Sequence, residues 1–416
     1  MSNVLVLGGG KVGKSVAEML LALGRGAYRV TLADRDAANL REAEQNLARL
    51  KTLVPHAVEF SVKQIDAGDK GAVREALRAV GAGGYVVCML PFDLVLGVAE
   101  VANELGVHYF DVTEDVETTD AVKRIAASGR GKVALVPQCG LAPGYIAIAG
   151  YEIARQFSEI HELTLRVGAL PQYPTNALHY NVTWSTAGVV NEYCEPCNVM
   201  LGGEMAKLPA LEGLEGFSFE GVEYEAFYTS GGVGTLIETL LGEKKTTSES
   251  RLAYKTIRYP GHRNLMKFLL QDLRLGVEHS QPTASGRIFD RRLAMDLLDH
   301  AIARTLQDVV IVFVSCIGMR EGRREQINLK RAIRATKMFG RVWPAIELTT
   351  AAGVCAMVDM HRLGKLPKSG FVKQEECGLA AFNESLFGLA YEAPERLEGA
   401  VLGLSLIHIS EPTRLR

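Results

Sequence analysis

Six residues near the start, Gly8-Gly9-Gly10-Lys11-Val12-Gly13, constrain this chain more than any others. Asn3 to Leu7 before them is an apolar run of strand length. Val12, Val16, Met19, Leu20 and Leu23 after them recur with helical period, so a helix opens inside the glycine run. Arg29 to Ala33 reads as a second strand, with Asp34 at its end. A bare GxGxxG is a weak signal. Strand, glycine run, helix and an acid some twenty residues on form the dinucleotide-binding fingerprint. Gly8 allows the tight turn, Gly10 lets backbone approach a pyrophosphate, and Gly13 lets helix and strand pack closely. Lys11 and Val12 complete the candidate cradle, and the helix N-terminus offers it N–H groups and a positive dipole end. Asp34 can accept from an adenosine ribose and would repel a 2′-phosphate, which favours NAD. Arg35 could attract that phosphate, so NADP stays open.

At 416 residues the chain exceeds a single core, and two domains are the prior. A net charge of −2 gives no electrostatic case for nucleic acid or an anionic membrane. The longest apolar runs, such as Val309 to Ile317, are strand-sized and too short to span a bilayer. No basic, apolar leader precedes the first strand. Seven scattered cysteines suit reduced thiols in a cytoplasm. The segment from Leu404 to Arg416 resembles a translated sequencing-adapter read-through. It is read as a non-native tail, with natural sequence ending near Gly403.

Strand and helix patterns alternate through the first third. Val58, Phe60 and Val62 form a third strand, closed by Ile65-Asp66. Asp66 either faces the adenine or caps the next helix. Tyr85 to Leu90 is a continuous apolar run, as a strand covered on both faces should be. Leu90 and Pro91 end it on the side where an open α/β sheet binds ligands, and are cofactor-contact candidates. A helix over 92–105, a strand at 108–111 and another at 132–136 complete six strands, predicting a doubly wound parallel (Rossmann) sheet. Regular alternation then stops. Strands are expected at 161–170, 180–184, 222–228, 251–259, 308–317 and 325–334, with helices over 234–241, 264–273 and 290–303. That predicts a second, α+β domain with a mixed sheet. A helical pattern returns over 345–363. The expected organisation is 1–140 for the dinucleotide, 141–344 for substrate and dimerisation, 345–403 returning toward the first domain, and 404–416 as the tail.

Gln138 to Gly144 follows the sixth strand on the cofactor side, where Gly140 and Gly144 let backbone approach a ligand; a plain hinge is the alternative. Asp111, ending the fifth strand, could anchor an ammonium or take a proton. Glu114, Asp115 and Glu117 read better as caps or a solvated acidic loop. Arg258 could hold a carboxylate through its bidentate fork, or pair with surface acids. His262 could serve as acid or base, or merely close the following helix. His179, Tyr180, Asn181 and Trp184 suit a pocket wall or core packing equally. Cys194-Glu195-Pro196-Cys197 lacks the second pair a structural zinc needs, so no metal is expected.

Taken together, Gly8 to Gly13, Cys139 to Gly144, Gly168 to Pro171, Glu225 to Gly232 and Tyr254 to His262 resemble the saccharopine dehydrogenase family across nearly the whole chain to Gly403. The resemblance implies a homodimer that oxidises a CH–NH bond. For saccharopine that would yield 2-aminoadipate 6-semialdehyde and glutamate, and lysine would release ammonia. It implies Arg258 and Arg166 clamping substrate carboxylates, Asp111 on an ammonium, and the 139–144 loop beside the nicotinamide. Gln138 and Cys139, where branches of the family vary, would bear on substrate choice. Lysine 6-dehydrogenase and a carboxyspermidine-type reductive enzyme are the nearest alternatives. A nucleotide-binding protein without turnover is the alternative from another class.

Overall fold

The computed structural model describes residues 1–56, 58–128 and 132–403. Strand β1 (Ser2–Leu7) leads through α1 (Lys11–Leu23), β2 (Tyr28–Asp34), α2 (Ala37–Leu53), β3 (Glu59–Gln64), α3 (Lys70–Val80), β4 (Tyr85–Cys88), α4 (Phe92–Leu105), β5 (His108–Asp111), α5 (Val116–Ala127) and β6 (Ala134–Val136). The strands lie side by side in the order β6-β5-β4-β1-β2-β3, every pair parallel. The chain winds outward from β1 to β3, then restarts on the other side of β1 with β4. The crevice above the carboxyl ends of β1 and β4 is therefore the switch point where such sheets bind ligands.

Local chemistry explains the elements. All four residues of β4 are buried, as layers of helices on both faces require. Val4 and Val6 of β1 pack into the core that holds Val16 and Leu20 of α1. Leu5 and Leu7 point the other way, into a core with Leu77 and Val98. This is the two-residue alternation of a strand. Side chains of Asp36, Asp69 and Asp115 accept from first-turn N–H groups of α2, α3 and α5. Helix α4 starts after Pro91 and stops at left-handed Gly106.

Helix α6 (Tyr145–Ala154) then leads to a second sheet. The elements that build and cover it are β7 (Glu159–Pro171), α7 (Thr186–Cys194), β8 (Cys197–Leu201), β9 (Glu204–Leu208), β10 (Glu215–Phe219), β11 (Val222–Tyr228), α8 (Leu236–Gly242), β12 (Thr246–Arg258), α9 (His262–Lys267), α10 (Arg291–Ala301), β13 (Asp308–Arg320) and β14 (Arg323–Arg334). The order is β10-β11-β12-β7-β13-β14, with β8 and β9 attached beside β12. Only β12 and β7 run parallel, so the sheet is mixed. The expected strand at 180–184 is instead an extended loop with one bridge, Val182 to Arg304. Its aromatics pack against Val190, Phe227 and Met266 rather than lining up on a sheet face. The β8–β9 hairpin was not expected; Gly202 and Gly203, both at positive φ, make its turn.

The chain then returns to the first sheet. A short hairpin of β15 (Thr336–Met338) and β16 (Arg341–Trp343) precedes α11 (Ala345–Arg362). Helix α11 lies against α1 in a shared core that includes Leu20, Val354 and Val358. Strand β17 (Gly370–Phe371) pairs parallel with β6 and makes the first sheet seven-stranded, one more than expected. A two-residue strand leaves no periodicity to read. No described helix is long and apolar enough to cross a membrane. The tail from 404 onward lies outside the described residues.

Candidate active site

The cradle is built as its glycines require. Gly8 has a φ of 102°, and a Cβ there would stand 2.5 Å from the Met89 carbonyl oxygen. A Cβ on Gly13 would stand 1.8 Å from the Gly8 carbonyl oxygen, so α1 can sit on β1 only if this residue has no side chain. Gly10 differs: a Cβ there would meet nothing within 4 Å. It faces open space, and no side chain caps the N-terminus of α1. Free first-turn N–H groups around an empty approach fit a dinucleotide pyrophosphate. At the end of β2, Asp34 accepts from Gly9 N–H at 2.5 Å and from Asp36 N–H at 2.7 Å. Its carboxylate is thereby fixed at the rim of the cradle, with Arg35 exposed beside it. Asp66 is exposed and accepts from Gly68 N–H, while Asp69 caps α3, so Asp66 is not the helix cap.

One cavity of about 590 Å³ runs from this cradle into the second sheet. Gly10, Lys11, Val12, Gly13, Leu90 and Pro91 line its near end. Gly140 to Pro143 and Thr113-Glu114 form the middle. Trp184, Glu192, Tyr254, Thr256 and Arg258 form the far wall. Gly8, Asp34, Arg35 and Asp66 are outside the lining.

The candidate substrate residues separate sharply. Arg258, 2% exposed, borders the cavity. Its guanidinium lies 5.1 Å from the Tyr180 ring and 5.8 Å from the Tyr193 ring. One of its nitrogens donates to the Ile257 carbonyl, and its Nε has no partner. A buried cation with donors unspent suits a carboxylate ligand. Tyr180 supports that guanidinium from behind and does not reach the cavity.

Four other expectations need correcting. Arg166 is held elsewhere: its Nε donates to Glu215 at 2.5 Å and a second nitrogen donates to Ser315 at 2.9 Å, over the Phe313 ring. It is not among the residues that line the cavity. His262 is locked, with Nδ1 on the Leu178 carbonyl and Nε2 on the Tyr193 hydroxyl. Burial, with help from the Arg258 charge, lowers its pKa to about 3. It does not cap α9 either; Glu225 accepts from Gly261 and Arg263 N–H there. The Cys139 thiol points inward, donating to the Val136 carbonyl and accepting from Gln374, and burial pushes its pKa well up. Gly144, at a φ of 130°, is needed because a Cβ would stand 2.0 Å from the Gly140 carbonyl oxygen. Its role is the turn into α6, not ligand approach.

Asp111 touches the cavity, yet its carboxylate serves the protein. It accepts from the Tyr109 hydroxyl at 2.7 Å, Thr113 N–H at 2.9 Å and Gln138 N–H at 3.0 Å. It pins the 138–144 loop to the end of β5. Burial nevertheless raises its pKa to about 6, against those three bonds.

Two carboxyls not among the candidates face the same space. Glu114 lies beside Thr113 at the end of β5, and burial raises its pKa. Asp115, its neighbour, is the cap of α5. Glu192 lies on α7 and is 7% exposed. Its side chain hydrogen-bonds to no described residue. Burial drives its pKa up to about 8; the Glu114 charge adds to the rise and Arg258 opposes it. On α7, Ala187, Gly188, Asn191 and Glu192 fall in i, i+4 pairs and all line the cavity. One face of this short helix therefore looks into the site, with no apolar period in the sequence to report it.

Residues 140–388 match the model of the saccharopine dehydrogenase C-terminal domain, and residues 4–134 match that of the saccharopine dehydrogenase NADP binding domain. The chain belongs to the saccharopine dehydrogenase family. Among solved structures it is similar to apo saccharopine dehydrogenase (L-Glu forming) from Saccharomyces cerevisiae. Identity is 14%, coverage is 94% of this chain and 97% of that one, and the TM-score is 0.71. It is also similar to homospermidine synthase from Legionella pneumophila, solved in complex with NAD. There identity is 12%, coverage 94% and 89%, and the TM-score 0.62. At such identities the likeness is one of fold. As a member of this family, the chain is an oxidoreductase that binds a nicotinamide dinucleotide, and the cradle described above has the shape for it.

Proposed function

We propose that this chain oxidises the CH–NH bond of a lysine-derived amino acid with NAD, saccharopine first among the substrates, releasing L-glutamate and 2-aminoadipate 6-semialdehyde. The observation that carries the reading is the cavity joining the Gly10 cradle to buried Arg258 and to the carboxyls of Glu114 and Glu192. In this reading residues 1–140 hold the dinucleotide, 141–344 supply the substrate wall and 345–403 brace the two.

The dinucleotide, when bound, accepts the hydride. The chain supplies the rest. Gly10 and the first turn of α1 hold the phosphates, and Asp34 at the rim favours a ribose with free hydroxyls over a 2′-phosphate. Arg258 takes a substrate carboxylate, and the acids Glu192 and Glu114 of the same cavity take its ammonium. The apolar wall of Leu90, Val112, Leu141 and Ile346 excludes water, which would compete for the reacting carbon.

A second reading is supported by the position of Arg166. Saccharopine carries three carboxylates, and the far wall offers Arg258 with Arg304 near its mouth. A substrate richer in amines than in carboxylates, as in a carboxyspermidine-type reaction, fits two acids better. Lysine, with one carboxylate, fits a single buried arginine. The test is a panel of saccharopine, lysine and polyamine substrates against NAD and NADP, followed by absorbance of the reduced nicotinamide. Turnover of saccharopine with NAD is expected. Turnover of lysine alone or of polyamines alone replaces the substrate, and dinucleotide binding without any turnover overturns the enzymatic reading.

A further inference from the structure

Four acids line the cavity, Asp111, Glu114, Glu192 and Glu347, and two of them are already committed to the protein. Asp111 spends its carboxylate on three donors. Glu347 accepts from Ser15 and, at 2.8 Å, from Arg341. Cys139 and His262 face away. Of the acids that leaves Glu192 and Glu114, with the Arg258 guanidinium close enough to act on Glu192. A carboxyl this deeply buried without a hydrogen-bond donor costs stability, so its retention calls for a ligand that completes it.

We infer that Glu192 is the proton acceptor for the substrate nitrogen, an assignment that rests on the amine-oxidising reading above. The substrate nitrogen arrives as an ammonium. A Glu192 carboxylate oxygen takes one N–H proton and becomes a carboxyl group. The freed lone pair forms the C=N bond as the carbon gives up its hydrogen, with both bonding electrons, to the nicotinamide. The substrate is oxidised by two electrons and the dinucleotide is reduced by two. Glu192 then releases its proton through the cavity mouth before the next turnover.

The surroundings suit that task. The charged and titratable groups around Glu192 are Arg258 and Tyr254 from β12, Glu114 from the end of β5, Cys197 from β8, Tyr193 from α7 and Tyr180 from the 180–184 loop. Burial above all, and then the Glu114 charge, favour the carboxyl while Arg258 favours the carboxylate, so the group is poised between the two rather than fixed in either. A base poised near the pH at which it works is the efficient one.

The experiment compares wild type with Glu192→Gln, Glu192→Asp and Glu114→Gln. Each is checked for fold by circular dichroism and for NADH binding by fluorescence. In wild type, kcat/KM should rise with pH along a limb ending near pH 8. Glu192→Gln should lose that limb and fall roughly 100-fold or more, while NADH binding is kept. Glu192→Asp should keep the limb at reduced rate. That holds the test open if the glutamine variant does not fold. Glu114→Gln should move the limb to lower pH, because a like charge is removed. An independent reading comes from carbon-13-labelled glutamate: one carboxyl resonance should titrate near pH 8 in wild type and be missing in Glu192→Gln. An active wild type with Glu192→Gln within a few-fold and its limb intact overturns the role of Glu192 alone. A wild type that oxidises no amine in the panel overturns the functional reading and this role with it.

Discussion

Asp111 shows how far one carboxylate can be from the duty its position suggests. It ends a strand above the switch point, where a reader of sequence places an ammonium ligand. In the fold one of its oxygens accepts two backbone N–H groups and the other accepts a tyrosine hydroxyl. Asp111→Asn keeps the shape but sets an amide NH₂ against one of those donors. The expected loss is about 1–3 kcal/mol in chemical denaturation, because a buried donor is left unpaired. NADH binding should weaken less than turnover, since the loop it pins lies beyond the cradle. Three acids, Asp111, Glu192 and Asp308, have pKa values raised by burial, to about 6, 8 and 6. Folded-state pKa values above the unfolded ones mean that the native chain holds more protons between pH 4 and 8. The stability these groups contribute is full below pH 4 and is lost as pH rises through their folded values. The histidines His108, His262 and His361, with pKa values lowered by burial, act in the opposite sense below about pH 6.5. Above that range the melting temperature should drop toward pH 8. Glu192→Gln should flatten the upper part of that fall; an unchanged slope would mean that Glu192 ionises freely.

At the scale of elements, the glycines of the cradle separate packing from binding. Gly13→Ala forces a Cβ into the Gly8 carbonyl and should lower the melting temperature together with dinucleotide affinity. Gly10→Ala puts a methyl group into open space at a φ of −64°, which alanine accepts. Its melting temperature should stay within a degree or two of wild type while the Kd for NADH rises about tenfold, roughly 1.4 kcal/mol. Equal losses in both variants would show that the cradle is not where the dinucleotide lies. These glycines were legible because the fingerprint joins a local pattern to a local need. Elements β1 to β6 were legible for the same reason, since period and length decide a parallel sheet covered by helices. The far wall was not. Glu192 meets Arg258 only because α7 and β12, more than sixty residues apart in the chain, pack together, and no period reports such a meeting. Arg166 was expected as a clamp from the family resemblance alone; it lies in the middle of β7, where Glu215 and Ser315 hold it. The Thr229 to Gly232 motif has a reason only in three dimensions. A Cβ on Gly231 would stand 2.6 Å from the Glu114 carbonyl oxygen, and one on Gly232 would stand 2.3 Å from the Tyr254 ring. Both glycines keep that loop close behind the two sides of the cavity.

Across the whole molecule, the last sixty described residues decide how the two sheets share one cavity. Asp308, the first residue of β13 in the second sheet, is buried and accepts from the N–H groups of Ala345 at 2.5 Å and Ile346 at 2.9 Å. It is in effect the N-cap of α11, supplied from another element, since Pro344 at the cap position offers no side-chain bond. The same helix lies along α1, and its first turns present Ile346, Glu347 and Thr350 to the cavity. Glu347 reaches Ser15 of α1 and shares Arg341 with Glu18, so the helix start is tied to the cradle helix by charge as well as by packing. Two carboxylates, Asp308 and Glu347, thus connect the second sheet, the returning helix and the dinucleotide cradle. Asp308→Ala orphans two buried N–H groups and should cost about 0.5–2 kcal/mol or slightly more, as lost caps do. Asp308→Asn, which keeps one acceptor oxygen, should lose less. If α11 sets the cavity wall, the alanine variant should also weaken NADH binding at temperatures well below its melting transition, and the asparagine variant should keep part of that affinity. Lower stability with unchanged affinity would show that α11 braces the fold without shaping the site, and would confine the cavity's cofactor end to the residues before Pro143.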